Sequence, residues 1–383
     1  MPRRYLILIL SLLAPGLLLL VPATLIAAAP SPAERQISVA ERALASAPEN
    51  VAVHNRLAMA LARRARETAD MTFYERADQA LAEAVRRQPD NFESQRVRTW
   101  ILLGRHEFAA ALESARTLQR RFPDDLTISA MLTDAQMQLG RYQDAESTAQ
   151  RLLDLRPGSA VALTRGAHVR ELTGDLPGAI TWMREAYGAI RPSETEDRAW
   201  ILTQLGHLHL AVGDPAAAES VLSSALEIYP EYHYAVNELA KVRTAQRRHA
   251  EAAALRERHC ELAPHPENFF YWAAALERAG NLEQSARVFA EFEGRALAES
   301  ESNDNANHEL VRFYLGTGDS PAKALEIAVA ESGRRQDLDT LHLLAWAQQR
   351  AGHSAAAKST IAKVLAVGTV DPEIRERAAL ING

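Results

Sequence analysis

The chain has 383 residues, rich in Ala, Leu, Arg and Glu, with 6% aromatics, 18 Gly and 17 Pro. This mix favours helix nearly throughout, and the scarcity of alternating Val and Ile runs argues against a sizeable sheet. A formal net charge of −6, from 43 basic and 49 acidic residues interspersed along the chain, leaves no basic stripe for a phosphate backbone, so no nucleic-acid partner is expected.

Taken in chain order, the first element is an apolar run from Leu6 to about Ala29, preceded by Arg3 and Arg4. A basic end followed by a hydrophobic segment is an export signature. Ala27-Ala28-Ala29 supplies small residues for a signal peptidase, and Pro30 moves the cut one or two residues earlier. The run is also long enough to span a bilayer. Residues 1–29 are therefore read as a signal peptide or an uncleaved N-terminal membrane anchor. In either case the rest of the chain is expected to be exported, periplasmic or otherwise extracytoplasmic, touching membrane only through that segment. No Cys lies near the end of the run, so no lipid anchor is expected. Residues 30–47 read as a linker and a lead-in helix.

From residue 48 the chain is periodic. Pro89, Pro123 and Pro157 are 34 apart, as are Pro230 and Pro264; Pro192 lies 35 after Pro157 and 38 before Pro230. An Ala precedes these prolines by twelve residues at Ala77, Ala111, Ala145, Ala218 and Ala252, and by thirteen at Ala179. Gly140-Arg141, Gly174-Asp175, Gly213-Asp214 and Gly280-Asn281 recur between them. Each marker has a physical role. The Gly closes one helix in the left-handed conformation, the Ala lets a second helix approach the first, and the Pro ends the second helix. Two helices of about 13 residues with two short turns fill such a unit. About nine units are expected across 48–371. The first is stretched, by its loop near Glu67–Thr72 or by longer helices. The polar stretch Glu299–Asn307 reads as a solvated helix start with Asn or Asp caps, with a flexible joint or a contact loop as the alternative, and residues 372–383 as a charged capping helix.

This pattern resembles the tetratricopeptide repeat family, most closely through Leu205-Gly206, Gly213-Asp214, Ala218, Ala225 and Pro230. The large aromatic that the family carries early in the first helix is mostly replaced, by Gln95, Ser129, Leu163, Leu202 and Val236. The resemblance implies an all-α, right-handed superhelical solenoid of antiparallel helix pairs whose first helices line a concave groove. It also implies a protein-binding scaffold rather than an enzyme.

Chemistry-bearing constellations are absent from the sequence. No phosphate loop, His-Glu-x-x-His or nucleophile elbow occurs. The single Cys260 excludes an intramolecular disulfide and a Cys-rich metal site. Adjacent on a helix, His259 and Cys260 point about 100° apart and read as a packed His and a buried thiol. No metal and no cofactor are expected. If the groove binds a protein or peptide partner, one register position should line it with Trp100, Asp134, His168, His207 and Lys241, and the turn before with Arg96, Ala130, Thr164, Thr203 and Asn237. The run Phe269-Phe270-Tyr271-Trp272 is a second candidate, as an aromatic docking patch that Tyr229, Tyr232 and Tyr234 could extend; equally, a helix packed on two sides would bury three of the four. Two further uses stay open: a self-assembling structural component, and a metal or small-ligand carrier built on His168 and His207.

Overall fold

In the computed structural model, which describes residues 30–383, the chain is a continuous series of helices. The lead-in helix is α1 (Pro32–Ser46). Nine helix pairs follow: α2 (Val51–Thr68) with α3 (Thr72–Arg87), α4 (Phe92–Gly104) with α5 (Phe108–Arg121), and α6 (Leu126–Gln138) with α7 (Tyr142–Leu155). Next come α8 (Ala160–Leu172) with α9 (Leu176–Ala189), α10 (Thr195–Ala211) with α11 (Pro215–Ile228), and α12 (His233–Ala245) with α13 (His249–Leu262). The last three are α14 (Pro266–Arg278) with α15 (Leu282–Glu299), α16 (Asn307–Leu315) with α17 (Pro321–Ser332), and α18 (Leu338–Arg350) with α19 (Ser354–Leu365). The short α20 (Pro372–Asn382) closes the stack. The segment expected as signal or anchor, 1–29, lies outside the described residues. Among the described residues no helix is long and apolar enough to cross a membrane.

The recurring residues do the work their chemistry suggests. Ala77, Ala111, Ala145, Ala179, Ala218, Ala324 and Ala357 are fully buried where the second helix of a pair meets the first. Pair seven has Ser285 in that place, and its hydroxyl donates to the Ala273 carbonyl at 2.9 Å, so the extra polar atom is satisfied. The first helices begin on short polar caps: Asn50, Asn91 and Asp125 accept from the backbone N–H of Val53, Ser94 and Ile128. The second helices of pairs four and five begin on Asp175 and Asp214, which accept from Gly178 and Ala217, each followed by a Pro in the first turn. Between the helices of a pair the left-handed turn persists even where Gly is missing, at His106 (φ 59°) and Arg247 (φ 60°).

Two stretched units are resolved by helix length. In pair one the helices run to 18 and 16 residues, and in pair five α10 reaches 17. Pair eight goes the other way, with an α16 of only 9 residues after an 18-residue α15.

Close packing within a pair sets a limit that a substitution can test. A Cβ placed on Gly206 in α10 would sit 2.5 Å from Leu222 Cγ in α11, and Leu222 is fully buried. Gly206→Val should therefore destabilise the chain by about 1–3 kcal/mol through overpacking. Urea unfolding followed by helix signal checks this; an unchanged midpoint would mean the two helices can part at no cost.

The superhelix is wound tightly enough that its turns touch. Arg66 at the end of α2 pairs with Glu196 of α10, and its carbonyl accepts from His233 Nε2 of α12 at 3.0 Å. His106, between α4 and α5, meets Asp304 at 3.2 Å. Gln138 at the end of α6 accepts from Arg335 at 3.0 Å through its side chain. Gly140 follows in a left-handed turn (φ 68°), and a Cβ there would stand 2.3 Å from the Gln336 carbonyl. Gly174, after α8, lies against Val370 and Gly368. Each of the first four pairs thus touches a segment four to six pairs later in the chain. The groove expected from the resemblance is divided by these contacts rather than open along its length.

The polar stretch 299–307 takes the contact-loop role rather than that of a solvated cap. It forms an ordered contact loop. Arg334 donates to the carbonyls of Ser300, Glu301 and Ser302, Asn307 donates to Glu331 at 3.0 Å, and Asp304 reaches His106.

Candidate binding cavities on the concave side

Division of the groove leaves two cavities, each of about 530 Å³. Both are bounded mainly by first helices of pairs.

The first cavity is a cleft between the middle pairs and the C-terminal end. Its floor is apolar, from Leu172, Leu176, Leu210, Leu338 and Ile374, and its wall carries Glu171, His207 and Lys241. The wall is a charge relay across three successive first helices. His207 Nε2 lies 2.7 Å from Glu171 Oε1, and its Nδ1 lies 3.5 Å from Glu238 Oε2. Lys241 Nζ donates to Glu238 Oε1 at 2.6 Å. The Glu171 hydrogen bond and the neighbouring Glu238 carboxylate hold the His207 pKa up to about 10, against the burial that would lower it. Glu238 moves the other way. Burial would raise it, but Lys241 and His207 together bring it down to about 2. At neutral pH the wall is therefore an ordered chain of four charges, minus, plus, minus, plus.

The second cavity is a chamber between turns of the superhelix, where the first two pairs face α12 to α18. Tyr74, Tyr234 and Tyr271 line it together with His106, His233, His259, His265 and His308. The carboxylates of Glu267, Asp304, Glu309, Glu331 and Asp339 face it as well, with Arg66 and Arg335 the cations. Both Arg side chains are already committed, Arg66 to Glu196 and Arg335 to Asp337 at 2.5 Å. Burial, then the neighbouring Glu309, pushes the Glu267 carboxyl upward. Burial would also raise Asp304, but its hydrogen bond with His106 and the charge interactions with His106 and His265 together bring it below the usual range. The His pair in the wall is neutral: burial takes His233 down to about 4, and burial with His233 and Arg256 takes His259 down to about 2.

Of the residues the periodicity nominated, His207 and Lys241 meet in the cleft and Asn237 lines the chamber, its Oδ1 accepting from Arg256. The others are dispersed. Arg96 pairs with Glu93 on its own helix, and Trp100 lies under the Arg66 guanidinium at 5.7 Å. Asp134 holds Arg165 through both carboxylate oxygens, at 3.1 and 2.6 Å. His168 packs edge-on to Trp200, and burial lowers its pKa. Thr203 is not on the groove surface at all: it is 2% exposed and its hydroxyl donates to the Ala199 carbonyl. Among the described residues no group of three or more His, Cys, Asp or Glu is arranged to hold a metal ion.

Of the two roles open to the aromatic run, the structure shows the packed one. None of the four is in the exposed class. Phe269 is buried under the Arg295 guanidinium, and Phe270 packs on Phe289 and Phe292. Trp272 packs against the same core, while Tyr271 faces the chamber and donates to Glu309 at 2.8 Å. A helix packed by neighbours on both sides within a superhelix covers nearly its whole circumference, which is why four successive rings can be sheltered. His259 and Cys260 are buried, at 4% and 6% exposure.

A family model described as tetratricopeptide repeat matches residues 99–160, 130–194 and 203–265. Over those stretches the chain carries tetratricopeptide repeats. No curated protein sequence is significantly similar to it. Among solved structures it is similar to a chain of the APC/C hetero-tetramer Cut9–Hcn1, with TM-score 0.53 and 12% identity over 91% of this chain and 59% of that one. It is similar too to a human IFIT1 dimer with m7Gppp-AAAA, with TM-score 0.54 and 13% identity over 88% of this chain and 96% of that one. At such identities the likeness is one of fold.

Sequence reasoning missed the chamber. His106, His265, Glu267 and Asp304 come from a turn, a helix start and a loop, at positions that carry no repeat marker. One signal was legible: His106 stands where other tetratricopeptide units place a left-handed Gly. A non-Gly residue held at positive φ in a turn points to a side chain kept for a purpose.

Proposed function

We propose that this tetratricopeptide protein is an extracytoplasmic interaction scaffold, carried out of the cytoplasm by residues 1–29 and holding a protein or peptide segment on its concave side. The observation that supports it most is the cleft. An apolar floor flanked by an ordered row of fixed charges has the make-up of a recognition site, in which burial supplies affinity and the charges set orientation. Nothing in the cleft pairs a nucleophile with a base, and the reading has no catalytic role. A phosphate-bearing ligand of the kind named for the IFIT1 structure suits the concave side poorly, because carboxylates outnumber uncommitted cations there.

The test places a photo-crosslinking residue at Val370, which lines the cleft and is partly exposed, and a control at Leu282 on an exposed helix start. A single dominant adduct from Val370, absent from Leu282 and lost on Lys241→Glu, is the expected result. Equal capture from both positions would sink the cleft as the binding face. Export is tested separately, with a reporter fused after Gly383 that is active only outside the cytoplasm. Activity from the full chain but not from a chain lacking 1–29 is expected, and equal activity from both would remove the extracytoplasmic part.

A further inference from the structure

Two acceptors that line the chamber, His259 Nδ1 and the Glu267 carboxylate, have no hydrogen-bond donor. His233 Nε2 faces the Arg66 carbonyl, which can only accept, so that nitrogen carries the proton. His233 Nδ1 is then a lone pair, and it faces His259 Nε2 at 3.4 Å, so His259 Nε2 carries the next proton. This leaves His259 Nδ1 as a bare lone pair. It is buried, on a side chain only 4% exposed, and has no hydrogen-bond partner. Across the chamber, the nearest cation-forming group to Glu267 is His265, at 3.9 Å, beyond hydrogen-bond reach. The oxygens of Glu309 receive the Tyr271 hydroxyl but no cation within 4 Å. The side chain of Glu267 is 47% exposed although protein surrounds it, because it looks into the chamber space. Tyr74, Tyr234 and Tyr271 add ring surface beside these acceptors. A buried acceptor with no donor carries a standing cost unless something supplies one.

We propose that the chamber binds a hydrogen-bond-donating organic cation, the guanidinium or ammonium of an Arg or Lys side chain presented by a peptide segment. A guanidinium has donors only and a flat face, so it complements carboxylates, an imidazole lone pair and tyrosine rings together. A metal ion fits less well, since no three ligands converge. The scaffold reading enters only in assigning the cation to a peptide; a free polyamine would meet the same groups.

Isothermal titration of the full chain tests this with three probes: a capped Ala-Ala-Arg-Ala-Ala peptide, the same peptide with Glu in place of Arg, and spermidine. The Arg peptide is expected to bind, to weaken with added salt, and to lose about tenfold or more in affinity on Glu267→Gln, with the Glu peptide silent. Glu309→Gln, kept folded by circular dichroism, should weaken it likewise. Spermidine binding without peptide binding, lost on Glu267→Gln, supports the cation site and overturns its peptide source. Binding of the Arg peptide unchanged by Glu267→Gln but abolished by Lys241→Glu overturns the chamber while leaving the cleft scaffold intact. No binding of the Arg peptide or spermidine to the folded wild-type chain overturns the proposal outright.

Discussion

Replacing Arg66 with Ala should loosen the contact between turns of the superhelix and cost about 3–5 kcal/mol, the usual penalty for removing one partner of a buried ion pair. Glu196, whose side chain is 11% exposed, would be left with only the Tyr232 hydroxyl at 2.8 Å. Burial opposes the charge on Arg66, but Glu196, Tyr232, Asp197 and Tyr234 together outweigh it and raise its pKa. The guanidinium also covers the Trp100 ring. Arg66→Lys should fall between wild type and Ala, because a compact ammonium cannot serve the carboxylate and the indole together. The double variant Arg66→Met with Glu196→Leu should recover much of the loss, since two apolar groups leave no uncompensated charge. Solution scattering and thermal unfolding read the outcome. Arg66→Ala is expected to widen the scattering profile and lower the unfolding temperature. An unchanged profile with unchanged stability would mean the turns are held by other contacts.

The second large effect lies in the cleft wall. Removing His207 by Gln leaves Glu171 and Glu238 facing each other with no cation between them except Lys241. The His207 side chain is 39% exposed, so solvent screens the pair and the expected loss is about 1–3 kcal/mol rather than the full value of a buried bridge. The pH dependence has a definite sign. A His held up to about 10 in the fold, against about 6.5 unfolded, stabilises fully below pH 6.5, and that contribution is lost as pH rises through 10. Glu238, held down to about 2, shows the same interaction from the acid side: its contribution is present above about pH 4.5 and is lost as pH falls toward 2. The stability gap between wild type and His207→Gln should therefore be widest near pH 5–6 and close toward pH 10. Chemical unfolding at four or five pH values measures it. A gap constant from pH 6 to pH 10 would show that His207 acts by packing and not by charge.

Much of the helical architecture was readable because its cause is local. Proline spacing, the small residue twelve or thirteen before those prolines and the recurring Gly of the turns act within one unit, so each could be interpreted without knowing where the unit sits. The same locality explains the nominations that went astray. Thr203 occupies the same register place as Asn237, yet it faces inward like Ala130 and Thr164 at that place, and its hydroxyl bonds its own helix. The aromatic run at 269–272 reads as an exposed patch only if a helix has one packed side. In the stack it has more than one, and no ring of the four is left in the exposed class.

What the sequence determined by itself was the repeating unit: helix lengths, caps, turns and the buried Ala contacts, all set by residues within 34 positions of one another. What only the tertiary structure decided was how the units meet at long range. Arg66 finds Glu196 and His233, His106 finds Asp304, and Gln138 finds Arg335. The physical reason is accumulation. Each unit turns a little relative to the last, and small differences such as the long α10 and the short α16 add over several repeats. The sum brings one turn against another, divides the groove and encloses the acceptor-lined chamber, and no periodicity within a single unit encodes that sum.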